Sequence, residues 1–145
     1  MKISIIVASI SCLGFLACGG PDNTVIDTTN VTELTVQARV VDQNVNVEKF
    51  KELCAWENVQ LLDVRTPNEW AEGIIEGAIK MNFFDESFKD SLNTLKRDEP
   101  ILVYCKSGGR SGKAMKQLVN LGYSEIYNLE GGITAWNAKG MLVVK

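Results

Sequence analysis

Three observations in this 145-residue chain predict one α/β domain, built as an open, mostly parallel central sheet with helices on both faces. Short apolar runs at 59–64, 101–104 and 126–129 have the length and continuity of strands buried on both sides. Segments with helical spacing of apolar residues lie between them, and the connections are only a few residues long. Strand and helix in strict alternation leave a parallel sheet as the natural arrangement. The composition is that of an ordinary globular chain, 46% hydrophobic and 23% charged, and no internal repeat or second domain fits in the length.

The elements follow in order. Residues 34–41 are read as a first strand. Asn46 then caps a helix that places Val47, Phe50, Leu53 and Cys54 on one face, so Cys54 is expected to point inward as core. After the strand at 59–64, Thr66-Pro67-Asn68-Glu69 is a capping box with proline at the first helical position, opening a short helix that ends at Gly73. Residues 77–82 give another strand, and Phe88, Leu92 and Leu95 form a helical stripe within 85–96. Pro100 stops that helix and precedes Ile101-Leu102-Val103-Tyr104, the clearest central strand. Ala114, Met115, Leu118, Val119 and Leu121 line a helix closed by Gly122, a strand covers 126–129, and a last helix around 134–138 ends at Gly140.

The N-terminus is organised differently. A basic start at Lys2 and a mostly apolar stretch over 3–17 read as a secretory signal, too short to span a bilayer comfortably. Phe15-Leu16-Ala17-Cys18 resembles a bacterial lipobox, in which the Cys is lipidated and becomes the mature N-terminus; Phe15 and Leu16 depart from that pattern's preferred residues. The expectation is a lipoprotein signal peptide at 1–17, a flexible tether at 18–33 and the folded domain at 34–145. Cys12 would leave with the signal, and Cys18 would anchor the protein in a membrane facing the bacterial periplasm or cell exterior. The tether reading rests on a Gly, Pro, Asp, Asn and Thr composition that offers too little apolar surface to offset ordering entropy.

Charge and composition exclude several chemistries. The chain contains no histidine, which removes the Ser-His-Asp triad, the Cys-His pair and His-ligated zinc. A formal charge of −3 argues against a general nucleic-acid binder. No cofactor or metal is expected, and the chain is read as a monomer or weak dimer.

The reactive element is the loop after the central strand. In an open α/β sheet, ligands bind beyond the carboxyl ends of the strands. Cys105 sits there, followed by Lys106-Ser107-Gly108-Gly109-Arg110-Ser111 leading into a helix. Paired glycines let backbone N–H groups turn inward into an anion-binding concavity, the helix dipole adds about half a positive charge, and Lys106 and Arg110 add full ones. A thiol in that setting has its pKa lowered from about 8.5 into the range of about 3.5 to 7.5, so it needs no histidine to ionise.

This loop and its surroundings resemble the rhodanese family of sulfurtransferases over 40–144. The motifs are Leu62-Asp63-Val64-Arg65 with Glu69-Trp70, Gly73-Ile74-Ile75 and Gly77-Ala78; the loop from Cys105 to Ser111; and Leu129-Glu130-Gly131-Gly132-Ile133 with Ala135-Trp136 and Gly140. Ile74 stands where the family usually has His. The resemblance implies a rhodanese-like fold and a Cys105 persulfide, loaded from a small anionic sulfur donor such as thiosulfate and emptied by cyanide or a thiol. Lys106, Ser107, Gly108, Gly109, Arg110 and Ser111 would bind the donor, with Asp63 and Arg65 as structural residues beside the site. Three alternatives stand beside it: a phosphatase or arsenate-reductase-like enzyme, a thiol redox enzyme with Cys54 resolving, and a non-enzymatic module that binds persulfide, sulfide or a partner. Cysteine phosphatases place five residues between Cys and Arg, whereas four separate Cys105 from Arg110.

Overall fold

The structure is a computed structural model and describes residues 40–145. The signal peptide, the tether, Cys12, Cys18 and positions 34–39 of the first expected strand lie outside the described residues. The elements are β1 (Val41–Val45), α1 (Val47–Cys54), β2 (Gln60–Asp63), α2 (Pro67–Trp70), β3 (Ile79–Lys80), α3 (Phe88–Leu92), β4 (Ile101–Tyr104), α4 (Gly109–Asn120), β5 (Glu125–Leu129) and α5 (Gly132–Ala138). All five strands pair parallel, in the order β1-β5-β4-β2-β3. The α/β architecture with a parallel sheet is the one the sequence predicts.

β4 lies at the centre because all four of its residues are apolar or aromatic and fully buried. Its side chains alternate between two cores. Leu102 and Tyr104 join Val47, Phe50 and Leu53 of α1 and Ile133 and Trp136 of α5. Ile101, Val103 and the following Cys105 join Phe88 and Leu92 of α3 and Ala114, Met115 and Leu118 of α4. Each face of the sheet is thus covered by a pair of helices. The C-terminal residues are tied back by an isolated antiparallel bridge between Ile74 and Val144.

Several elements differ from their expected limits. β1 begins at Val41, where the expected strand was to end, and runs through Asp42, Gln43 and Asn44. It is an edge strand paired only with β5, so only Val41 and Val45 need be apolar and its sequence reads as a loop. β3, expected over 77–82, shrinks to two exposed residues at the opposite edge. α3 occupies only the middle of the expected 85–96. α4 starts at Gly109, a turn or so before its apolar stripe begins, because its first turn faces the site rather than the core, and α5 starts at Gly132, two residues before the expected Thr134.

Cys54 corrects an expectation more directly. It ends α1 half-buried at the rim of the α1/α5 core instead of inside it, and burial alone pushes its thiol up to about 11. It is expected to resist alkylation by iodoacetamide at pH 7 while Cys105 reacts. Peptide mapping after brief labelling checks this, and preferential labelling of Cys54 contradicts it.

Candidate active site

Cys105 is the first residue beyond β4, where a parallel sheet presents its carboxyl ends. Only 1% of its surface is exposed. Its Sγ accepts a hydrogen bond from the Gly108 N–H at 3.2 Å and one from the Ser111 hydroxyl at 3.4 Å. Gly108 adopts the left-handed conformation, φ +94°, which turns the chain so that the first turn of α4 closes over the sulfur. Burial pushes the thiol pKa up, but the Ser111 hydroxyl and the backbone N–H groups of Ser111, Ser107 and Gly108 outweigh it, and the balance lies below the ordinary thiol value. The sulfur therefore sits at a helix N-terminus, with its donors already aimed at a negative charge.

The same loop must keep its carbonyls out of that cradle, and α5 accomplishes this. Ile133 N–H donates to the Cys105 carbonyl at 2.9 Å, and Thr134 donates to the Lys106 carbonyl through its N–H at 3.1 Å and its hydroxyl at 2.8 Å. Such close approach requires Gly132, at φ +58°. A Cβ there would lie 2.4 Å from the Cys105 carbonyl oxygen and 2.6 Å from the Lys106 carbonyl carbon, both backbone atoms with little freedom to yield. Gly132→Ala is thus expected to cost about 1–2 kcal/mol from the left-handed conformation alone, with the clash adding more and displacing the loop. Urea unfolding and the alkylation rate of Cys105 read the two effects. Unchanged reactivity would show that α5 does not shape the cradle.

Arg110 is placed beside this cradle but is not a free cation. Its two terminal nitrogens hold both carboxylate oxygens of Glu69 at 2.7 and 2.6 Å, with about a fifth of each side chain exposed. Its guanidinium also lies 5.7 Å from the ring centroid of Phe84, a residue 67% exposed. Glu69 additionally accepts from the Thr66 N–H at 3.0 Å and the Thr66 hydroxyl at 2.8 Å, completing the capping box of α2. The Arg110 pair leads the influences that hold its carboxyl at about 2. Glu69 and Phe84 were not among the residues expected at the site. The signal for Phe84 was an aromatic pair, Phe83-Phe84, in a polar loop; for Glu69 it was masked by the capping role.

The remaining candidates separate clearly. Ser111 is buried against the sulfur, Gly109 starts α4, and Ser107 and Lys106 are exposed at the mouth, Lys106 without an ion pair among the described residues. Asp63 and Arg65 are buried, 0% and 2% exposed, and pair with each other at 2.6 Å. Arg65 also donates to the carbonyls of Glu69 and Gly73 at 3.0 and 2.7 Å, so it fastens α2, and with it Glu69, to the end of β2.

The pH dependence follows from two depressed values. A depressed thiol pKa means that nucleophilic thiolate is present above that value and is lost as pH falls through it. Glu69, held at about 2, stays ionised well below that limb. The acid limb of Cys105 alkylation is therefore expected to be a single ionisation below the ordinary thiol value of about 8.5; a midpoint at or above that value would show that the cradle does not stabilise the thiolate.

Comparison with known proteins adds to this geometry. The rhodanese-like domain family matches residues 46–139. The chain is 36% identical over 88 residues to a sulfurtransferase of Allochromatium vinosum, covering 61% of this chain and 80% of the relative. It is 28% identical over 95 residues to the thiosulfate sulfurtransferase GlpE of Shewanella oneidensis, covering 66% and 92%. An uncharacterized protein of Bacillus subtilis, YqhL, is 35% identical over 109 residues, 75% of this chain and 82% of that one. Among solved structures, a rhodanese-related protein from Thermoplasma volcanium superposes with a TM-score of 0.62 at 30% identity, over 70% of this chain and 97% of its own.

Proposed function

The chain belongs to the rhodanese-like domain family, and from that premise we propose that it is a sulfurtransferase that carries sulfur as a persulfide on Cys105. The Cys105 thiolate attacks the outer sulfur of a donor such as thiosulfate. A sulfur–sulfur bond forms, the donor's own sulfur–sulfur bond breaks, and sulfite leaves with the electron pair. The negative charge then rests on the outer persulfide sulfur, within reach of the N–H groups of the loop and the N-terminus of α4. A thiolate or cyanide takes that sulfur and returns Cys105 to the thiolate. No proton needs to move at Cys105 in either half, which suits a chain without histidine.

The observation that carries this reading is the sulfur of Cys105 held by the Gly108 N–H and the Ser111 hydroxyl at the start of α4. Initial rates with thiosulfate and cyanide varied together are expected to give parallel double-reciprocal lines, the signature of a two-step exchange. Intersecting lines would contradict a free persulfide intermediate, and persulfide formation without turnover would favour the non-enzymatic binding module.

Two features weigh against the enzymatic alternatives. A cysteine-phosphatase loop places five residues between Cys and Arg, whereas four separate Cys105 from Arg110, and Glu69 neutralises the Arg110 charge that would attract a phosphate dianion. Intramolecular thiol redox needs a resolving thiol, but Cys54 packs with the α1/α5 core and Cys105 with the α3/α4 core, on opposite faces of the sheet. Export and anchoring through Cys18 complete the proposal. Cys18→Ser is expected to move the protein from the membrane to the soluble fraction, and unchanged membrane association would rule out the lipid anchor.

A further inference from the structure

We propose that Glu69 determines which sulfur donors the site accepts, by cancelling the charge of Arg110 and so disfavouring dianionic donors relative to singly charged ones. This deepens the sulfurtransferase reading and rests on it. The carboxylate engages both terminal nitrogens of the guanidinium at 2.6 and 2.7 Å, and the aromatic face of Phe84 lies against the same group. Arg110 is also within electrostatic reach of Cys105, whose negative charge helps hold the guanidinium protonated. Glu69, Arg110 and the Cys105 thiolate together carry one net negative charge. A donor approaching the sulfur thus meets inward N–H groups and the exposed Lys106, but no uncompensated cation inside the cradle. A loop that sequence reads as doubly cationic is close to neutral where the donor binds.

Coulomb energy is proportional to the charge on the donor, so a change of one unit at the site alters the rate with a dianion by the square of its effect on a monoanion. Glu69→Gln removes one negative charge while keeping a side chain that can hydrogen-bond Thr66 and Arg110. With cyanide as acceptor, kcat/KM is expected to rise about threefold for methanethiosulfonate, a monoanion, and about tenfold for thiosulfate, a dianion. The thiosulfate-to-methanethiosulfonate ratio therefore rises about threefold, less at high salt. Arg110→Gln is expected to move the ratio the other way by a similar factor, and the double variant, which restores the local charge, to return it to the wild-type value.

If Glu69 only orients Arg110 or caps α2, Glu69→Gln changes both donors by one common factor and leaves the ratio constant, which overturns the proposal. Should Glu69→Gln fail to fold, the double variant is compared with Arg110→Gln: a ratio that rises from the single to the double variant supports the proposal, and one that does not overturns it. Wild-type protein that transfers sulfur from neither donor defeats the sulfurtransferase reading itself. Wild-type activity with an invariant ratio defeats only the role of Glu69.

Discussion

Cys105→Ser is expected to abolish both sulfur loading and turnover. Wild-type domain incubated with thiosulfate and freed of excess donor should gain the mass of one sulfur atom per chain, reversed by cyanide; the variant should gain none, and its rate should fall to background. The expectation is this severe because the site holds no substitute. Among the described residues the other free thiol, Cys54, lies on the opposite face of the sheet and has its pKa pushed up to about 11. A serine hydroxyl at position 105 would receive the same hydrogen bonds but stays protonated, because the donors that suffice to ionise a thiol fall far short for an alcohol. Fold should be little affected, since the exchange is nearly isosteric, so unchanged thermal unfolding with lost sulfur loading is the diagnostic pair of results. Sulfur uptake that survives in Cys105→Ser would move the chemistry to another residue.

The donors around that sulfur are local in sequence, which is why so much of the site could be read before the structure was known. Cys105 to Ser111 form one continuous loop, and the glycines, the helix that follows and the strand that precedes it each leave a strong local signal. Glu69 and Arg110 are separated by 41 positions, and nothing in either segment marks them as partners. The capping box already accounts for Glu69, so its second role is silent until the fold brings β2 and β4 side by side. Gly131 and Gly132 stand out as a motif, but the reason for Gly132 is the close approach of α5 to the Cys105 and Lys106 carbonyls, a tertiary fact. In the fold, β4 is the most legible strand because burial on both faces makes all four of its residues apolar or aromatic. β1 is not legible, since one paired edge and two half-buried valines suffice to hold it.

Arg65 shows how the fold supports the site from below, and Arg65→Met is expected to destabilise the domain by about 3–5 kcal/mol, the usual result of leaving a buried charge without its partner. Asp63 is fully buried, and its carboxylate is held by Arg65 through the backbone N–H, Nε and one terminal nitrogen. Methionine fills similar space, so the loss is electrostatic and not a cavity. Replacing both partners, Asp63→Leu with Arg65→Met, should recover much of the stability because no isolated charge then remains in the core. The Glu69 and Gly73 carbonyls would still lack the two hydrogen bonds that Arg65 gives them, so α2 should remain loose and Glu69 with it. The double variant is thus expected to fold nearly as stably as wild type while showing the donor preference of a protein whose Glu69 no longer clamps Arg110, shifted toward thiosulfate. Urea unfolding combined with the thiosulfate-to-methanethiosulfonate ratio separates the two roles. A double variant no more stable than Arg65→Met would locate the function of the pair in the carbonyl contacts, and restored stability with a wild-type ratio would show that Glu69 holds its place without Arg65.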